Sequence, residues 1–324
     1  MSIADVSAPS GNHAQALALA ASTFSIPVYV VMPTISAPSK IAGTRRYTQN
    51  VIFSGPTKQE REAKVEEVIK EIGAIPVPPY DHPDVILGQG TTALELQEQY
   101  RELVKDDTRA NGIVVNGEFG IDPTTPRGNW FTGQWSTANA HQESDRELDA
   151  VIAPLGGGGL LSGVATYFSH PPGSQAKKTL VFGAEPSFQG GDDACRGLAA
   201  GKRIDTVKTL TIADGLRTPV GIITWEIVKD KSRVEGVYAV TEEQIKAATR
   251  LVLERMKVFA EPSACVGLAV ILYNEAFREM VAQKQQEGEA RAWDVGVVLS
   301  GGNMTVEAIS KLFESNGSVP GEGL

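Results

Sequence analysis

Residues 150–163 read AVIAPLGGGGLLSG, and this stretch decides the fold. The apolar run Ala150 to Pro154 predicts a buried β-strand, four consecutive glycines follow it, and Leu160 to Phe168 predicts a helix. The N–H groups of such a loop can converge on an anion, and the helix N-terminus adds the positive end of its dipole. Gly156, Gly157, Gly158 and Gly159 therefore predict a phosphate-binding loop, with a ligand-free tight turn as the alternative.

Two other loops carry polar groups. Ser300-Gly301-Gly302-Asn303 follows the last predicted strand, so its hydroxyl and amide lie at the carboxyl end of the sheet, where ligands of α/β folds gather. Ser10-Gly11-Asn12-His13 stands at a predicted helix start, where a simple N-cap is the alternative. The glycine loop itself is not a dinucleotide fingerprint, because Leu161 occupies the third glycine position of G-x-G-x-x-G.

Strands alternate with helices on both sides of the glycine loop. Helices are predicted at 11–24, 39–47 and 57–72 with strands at 27–32 and 51–53, and later strands at 179–184, 234–240 and 295–300 with helices at 241–257 and 262–283. This order predicts an α/β fold with parallel sheet covered by helices on both faces. A stretch from Lys105 to Ser144 fits neither period and is treated as an insertion.

Composition excludes several classes of protein. A net charge of -9 and a pI near 5.1 leave no large positive field, so we expect no nucleic-acid partner. No run approaches the ~18 to 20 apolar residues of a membrane helix, and the first residues lack the order of a signal peptide. Cys195 and Cys265 are too few for a disulfide framework, which is typical of a reducing compartment. We therefore expect a cytoplasmic protein that does not contact membranes.

Several motifs together resemble one family. These are SGNHAQALALAA from Ser10, VVMPTISAPSK, GQGTTALE from Gly88, VIAPLGGGGLLSG, GAEPS from Gly183, TIADGL, EPSACVGLA from Glu261 and VVLSGGN. In this order, and over nearly the whole chain, they resemble the pyridoxal-phosphate-dependent serine racemase and serine/threonine dehydratase family. The resemblance implies the tryptophan-synthase-β-like fold of two open, mostly parallel sheets flanked by helices. It also implies a small domain at 1–90 and a large one at 91–324, with the insertion at about 105–144.

The resemblance implies a role for each matching residue. The tetraglycine loop and Leu160 would hold the cofactor phosphate, Asn12 would bond the cofactor 3-hydroxyl, and Ser300 would bond the pyridine nitrogen. Ser10 would donate and accept a proton on one face of the substrate carbon. Glu261 lies near this site in relatives, and a plain helix N-terminal charge is its alternative. His13 is a weaker candidate for the cofactor edge.

An acidic set resembles the family's divalent-metal site. It comprises Glu185, Asp192 and Asp193 together with the backbone at Gly191, whose oxygens would suit Mg²⁺ or Ca²⁺. The spacing is longer than usual in the family, because Phe188 to Gly191 intervene. A solvated acidic turn is the alternative.

One departure concerns the family's lysine, which forms the Schiff base with the cofactor and removes the α-proton. Its Ser-x-Lys-x-Arg-Gly-Ala segment lies upstream of SGNH, and no lysine occurs from Met1 to Pro9. Lys40 and Lys257 are interpreted as helix-surface residues from their pattern. We therefore expect an N-terminally truncated sequence, as from an incomplete gene model, and an inactive chain.

The resemblance leaves two functions open. The first is a lyase or racemase that acts on L-serine or L-threonine, giving ammonia and a 2-oxo acid or the opposite enantiomer, and that forms the homodimer usual in the family. The second is a non-catalytic protein that keeps the phosphate loop and binds pyridoxal phosphate as a pseudoenzyme or a partner subunit. The two differ in whether a lysine captures the cofactor covalently.

Overall fold

The structure is a computed structural model of the chain. It describes residues 3–6, 11–36, 38–55, 58–109, 113–115, 135–137, 147–169, 178–287 and 291–314. No helix among these residues is both long and apolar enough to cross a membrane.

The first sheet has four parallel strands in the order β3-β2-β1-β4. Its strands are β1 (Ile3–Val6), β2 (Val28–Pro33), β3 (Val51–Ser54) and β4 (Ile75–Val77), and its helices are α1 (Asn12–Thr23), α2 (Pro38–Arg45) and α3 (Lys58–Ile72). Alternate residues of β2 point to opposite faces, as the period of a strand requires. Val30 packs with Ala14 and Ala18 of α1, whereas Val31 packs with Val65 of α3.

The second sheet also has four parallel strands, in the order β10-β7-β8-β9. They are β7 (Ala150–Pro154), β8 (Leu180–Pro186), β9 (Gly236–Val240) and β10 (Val295–Val297). Every residue of β7 is buried. Val151 packs with Leu161 and Val164 on one face, and Ile152 packs with Ala264 and Val266 on the other. The predicted class, open parallel sheets flanked by helices, is confirmed.

Among the described residues, seven helices surround this second sheet. They are α5 (Gly159–Ser169), α6 (Asp193–Ala200), α7 (Ile222–Val228), α8 (Glu242–Leu251), α9 (Pro262–Tyr273), α10 (Glu275–Glu287) and α11 (Val306–Phe313). Two of the helices predicted there have other bounds, and α6 and α7 have no predicted counterpart. The single helix predicted at 262–283 is wrong, because Asn274 adopts an extended conformation between α9 and α10. Its side chain accepts from the N–H of Phe277 at 2.9 Å and so starts α10. The helix predicted to 257 continues beyond Leu251 as a π-helical turn, Val252–Met256.

The remaining elements connect the sheets. Helix α4 (Pro83–Arg109) packs along α5. Within the predicted insertion the structure describes the end of α4 and an antiparallel pair, β5 (Ile113–Val115) and β6 (Trp135–Thr137). The division into domains at residue 90 stays a prediction.

Candidate active site

A cavity of about 190 Å³ lies where the chain leaves β7 and enters α5. Nearly all the residues that the sequence assigns to a cofactor line it, namely Asn12, Gly156, Gly157, Gly158, Gly159, Leu160 and Ser300. His13 and Glu261 line it as well. Ser10 lies outside the described residues. Loops from three separate parts of the chain therefore converge on one cavity, at the carboxyl end of the second sheet.

The glycine loop has a shape that other residues could not adopt. Gly158 has a φ of +96°, and a Cβ built on it would lie 2.8 Å from both Cβ and Oγ1 of Thr224. The Thr224 hydroxyl donates to the carbonyl oxygen of Gly157 at 2.7 Å, and the N–H of Gly221 donates to the same oxygen at 3.1 Å. The loop is thereby fixed to the start of α7.

Tyr80, which lines the cavity, and Asp81 support this loop, and no sequence motif indicates either of them. A Cβ on Gly157 would lie 2.4 Å from the Tyr80 ring, so the ring rests directly on the loop. Burial and the neighbouring Asp81 raise the pKa of Tyr80. The Asp81 carboxylate accepts from the N–H groups of Ile222 and Ile223, both at 2.8 Å, and of Thr224 at 3.1 Å. These contacts hold the segment between β4 and α4 against the glycine loop and α7.

A hydrogen-bonded chain of three side chains includes two residues of the cavity lining, Asn12 and Glu261. Asn12 donates from Nδ2 to Oε1 of Glu261 at 2.7 Å, and Asn303 donates from Nδ2 to Oδ1 of Asn12 at 2.7 Å. An amide carries two donor hydrogens, and among the described residues one of those of Asn12 bonds to Glu261, which leaves the second for a ligand. Glu261 is only 3% exposed, and this burial raises its pKa. It stands at the N-terminus of α9 but makes no side-chain capping bond there.

Comparison with known proteins agrees with this geometry. The family described as "Pyridoxal-phosphate dependent enzyme" matches residues 5–120 and 100–301. The chain belongs to this pyridoxal-phosphate-dependent family. A serine racemase from Arabidopsis thaliana is 34% identical over 95% of this chain and 75% of the relative. An L-threo-3-hydroxyaspartate ammonia-lyase from Saccharomyces cerevisiae (strain ATCC 204508 / S288c) is 32% identical over 96% and 76%.

The fold matches solved structures of the same kind. The T.th. threonine deaminase superposes with a TM-score of 0.66 and 32% identity, over 94% of this chain and 78% of that one. The predicted tryptophan-synthase-β-like fold and the expected dependence on pyridoxal phosphate are thus confirmed at the level of the family.

The interpretation of Lys40 as a helix-surface residue is wrong. Its side chain is buried, with 5% of the residue exposed, and its Nζ forms an ion pair with Asp214. Helix α2 has only eight residues and packs against α1, so too few turns were available for its pattern to distinguish the two faces. Asp214 begins a 3₁₀ turn, Asp214–Leu216, whose Gly215 and Leu216 line the cavity. A buried lysine therefore lies beside the site of this pyridoxal-phosphate-dependent enzyme.

The predicted metal ligands lie at the end of β8 and the start of α6. Both oxygens of Glu185 accept backbone N–H groups, from Ala194 and Cys195, each at 3.0 Å, and Asp193 accepts from the N–H of Val220 at 3.0 Å. Burial and the nearby Asp193 raise the pKa of Glu185 to about 8.

Asp192 has an ion-pair partner of its own. It accepts from Arg196 at 2.9 Å, while the N–H of Gly191 donates to Phe188 at 3.0 Å. In the part of the chain that the structure describes, no three His, Cys, Asp or Glu residues are grouped to hold a metal ion. Within the predicted set, Asp193 raises the pKa of Glu185, whereas the Asp192 carboxylate is paired with Arg196.

Proposed function

We propose that the chain is by family a lyase or racemase whose substrate is serine or threonine, and that this chain itself is inactive because it lacks the family's lysine motif. One observation carries the proposal: Asn12, the four glycines and Ser300 surround a single cavity. The relatives support the substrate class, because serine, threonine and 3-hydroxyaspartate are all amino acids with a hydroxyl on the β-carbon. Loss of that hydroxyl and exchange of the α-proton both begin with removal of the α-proton, so one site serves either outcome.

The residues present fit pyridoxal phosphate. The N–H groups of the glycine loop and the N-terminus of α5 suit its phosphate. The remaining amide hydrogen of Asn12 suits its 3-hydroxyl, and the Ser300 hydroxyl suits its pyridine nitrogen. When bound, the cofactor supplies an electron sink for charge on the substrate's α-carbon. The neutral Ser300 hydroxyl would leave the pyridine nitrogen unprotonated. The electron sink would then be weaker than one in which a carboxylate faces that nitrogen.

Glu261 and Ser10 complete the proposed roles. Glu261 holds Asn12 in one orientation, because its Oε1 takes one of the two amide hydrogens at 2.7 Å. Ser10 directly precedes Gly11 in the chain, and we assign it proton transfer on one face of the α-carbon, as the family motif implies. No lysine in the family's motif occurs in these 324 residues. We therefore expect the chain to bind the cofactor without a covalent bond.

A titration of the purified chain with pyridoxal phosphate tests the cofactor proposal. We expect saturable binding. When the chain is mixed with one equivalent of cofactor and reduced with borohydride, we expect its intact mass to be unchanged, because no lysine has formed a covalent bond with the cofactor. Absence of saturable binding would refute the assignment of the cavity. A cofactor-sized mass gain on a mapped lysine would overturn the expectation that no lysine captures it.

Incubation with L-serine separates the catalytic function from the alternative. Pyruvate or D-serine would show a catalytic chain. Binding of pyridoxal phosphate without either product would favour the non-catalytic binding protein, which the missing lysine motif supports. Absence of products from a chain that carries a borohydride-reducible lysine adduct would count against serine as the substrate.

We also propose that Glu185 and Asp193, with the carbonyl of Gly191, hold Mg²⁺ or Ca²⁺. The support is the pair of neighbouring buried carboxylates, whose mutual repulsion a divalent cation would relieve.

The family resemblance further leads us to propose a homodimer, which sedimentation equilibrium would test. The free thiols of Cys195 and Cys265 support a reducing, cytoplasmic compartment.

A further inference from the structure

Lys40 and Asp214 connect the layers of the two sheets beside the cavity. Lys40 belongs to α2, which covers the first sheet, whereas Asp214 begins the turn that follows the second sheet's β8 and α6. Their side chains form an ion pair. Gly215 and Leu216, the next residues after Asp214, line the cavity. The ion pair therefore reaches from α2 to the cavity wall.

The burial of this pair is unequal. The Lys40 side chain is 6% exposed and that of Asp214 is 36% exposed. A buried ammonium group is costly unless a counter-charge lies beside it, so Asp214 constrains where Lys40 can lie. Glu261 is a second carboxylate whose charge interacts with Lys40. The Lys40 ammonium group is thus held by two negative charges, one on Asp214 and one on Glu261, beside the cavity lining.

The stem of Lys40 also supports the turn that precedes α1. Gly11 has a φ of +67°, and a Cβ on it would lie 3.0 Å from the Lys40 Cβ and 3.2 Å from its Cδ. The next residue, Asn12, bonds to Glu261 and Asn303 across the cavity. Movement of Lys40 would therefore release the backbone on which Asn12 depends.

We propose that Lys40 is a positioning residue whose ion pair with Asp214 fixes the Gly11–Asn12 turn against the cavity wall. The importance of this turn for the cofactor rests on the proposed function. The ion pair does not depend on that function, because both of its charged groups belong to this chain. The tests below separate the two.

Hydrogen exchange of the cofactor-free chain, followed by mass spectrometry, tests the ion pair directly. In Lys40→Met we expect at least about fivefold faster exchange in peptides covering 11–24 and 213–217, with unchanged exchange in β7 and β8. Lys40→Arg should restore most of the protection, because it keeps the charge. Lys64→Met is the matched control, since Lys64 forms an exposed ion pair with Glu67 at 2.7 Å within α3.

Two results would overturn the proposal. One is unchanged exchange at 11–24, and the other is faster exchange everywhere, which would make Lys40 only a contributor to global stability. Should Lys40→Met fail to fold, Asp214→Asn decides, because its partly exposed carboxylate can be neutralised with less loss of packing. Local loss of protection at 11–24 in Asp214→Asn supports the proposal, and its absence overturns it.

Cofactor titration then links the pair to the site. Lys40→Met and Asp214→Asn should each weaken pyridoxal phosphate binding about fivefold, and the double variant should be no weaker than either, since both remove one interaction. Additive losses would overturn the coupling. If the unaltered chain shows no saturable binding, the proposed function fails, while the exchange experiment still decides the role of Lys40.

Discussion

Replacement of Gly158 by alanine should damage the glycine loop through both backbone strain and a steric clash. The residue has a φ of +96°, which costs an L-residue about 1–2 kcal/mol. The new Cβ would lie 2.8 Å from Thr224, whose side chain is fully buried and hydrogen-bonded to Gly157. Such overpacking costs about 1–3 kcal/mol more. Because burial and the hydrogen bond to Gly157 hold Thr224 in place, we expect the loop to shift instead.

The assay has two readouts, the free energy of unfolding in urea and the affinity for pyridoxal phosphate. If the loop shifts, the strain appears as weaker phosphate binding, about tenfold for each 1.4 kcal/mol. Gly201→Ala is the matched control, because Gly201 has a φ of +64° but a Cβ there would meet nothing within 4 Å. Equal cofactor affinities of the two variants would refute the placement of the phosphate on this loop.

Three other substitutions test named contacts. Asp81→Asn should destabilise the chain by about 1–2 kcal/mol in urea unfolding and weaken cofactor binding, because three N–H groups at the start of α7 lose a charged acceptor. The control Asp84→Asn, at an exposed carboxylate, should have neither effect. With a chelator present, stability should fall as the pH rises from 3.8 through about 8, because burial raises the pKa of Asp193 to about 6 and that of Glu185 to about 8, so the folded state favours both protonated forms. Glu185→Gln should remove the part of this fall nearest pH 8, and Ca²⁺ or Mg²⁺ at pH 8 should stabilise only the unaltered chain. In any active preparation, Ser10→Ala should lower the ratio of D-serine to pyruvate, by up to the ~10² to 10⁴ that a positioned proton donor contributes; an unchanged ratio removes Ser10 from the mechanism.

The local parts of the fold could be predicted from the sequence. The strand Ala150–Pro154 is found with the predicted bounds, because a fully buried parallel strand needs an unbroken apolar run and the glycines mark its end. The convergence of the SGNH, tetraglycine and SGGN segments on one cavity came from the family resemblance. Spacing within each segment could not have shown that the three segments meet.

Contacts between distant segments could not be predicted in this way. Nothing near Tyr80 indicates that its ring rests on Gly157, and Asp81 looks like a turn residue before α4. The sequence on both sides of Asn274 favours a helix, and the break there depends on a distant contact, because the Asn274 side chain donates to the carbonyl of Ala239 at 2.9 Å. The burial of Lys40 likewise depends on residues far along the chain, Gly11 and Asp214.

These long-range contacts imply that cofactor binding and the packing of the two sheets are thermodynamically linked. The glycine loop is held by Tyr80 and Asp81, which follow β4 of the first sheet, and Asn12 at the start of α1 is held by Glu261 at the start of α9. A ligand that contacts both the loop and Asn12 binds only when the layers are docked. Such a ligand stabilises the docked form by an amount that grows with the logarithm of its concentration. Added pyridoxal phosphate should therefore slow hydrogen exchange at 11–24 as well as around the glycine loop, and protection of the loop alone would show that the two layers bind it independently.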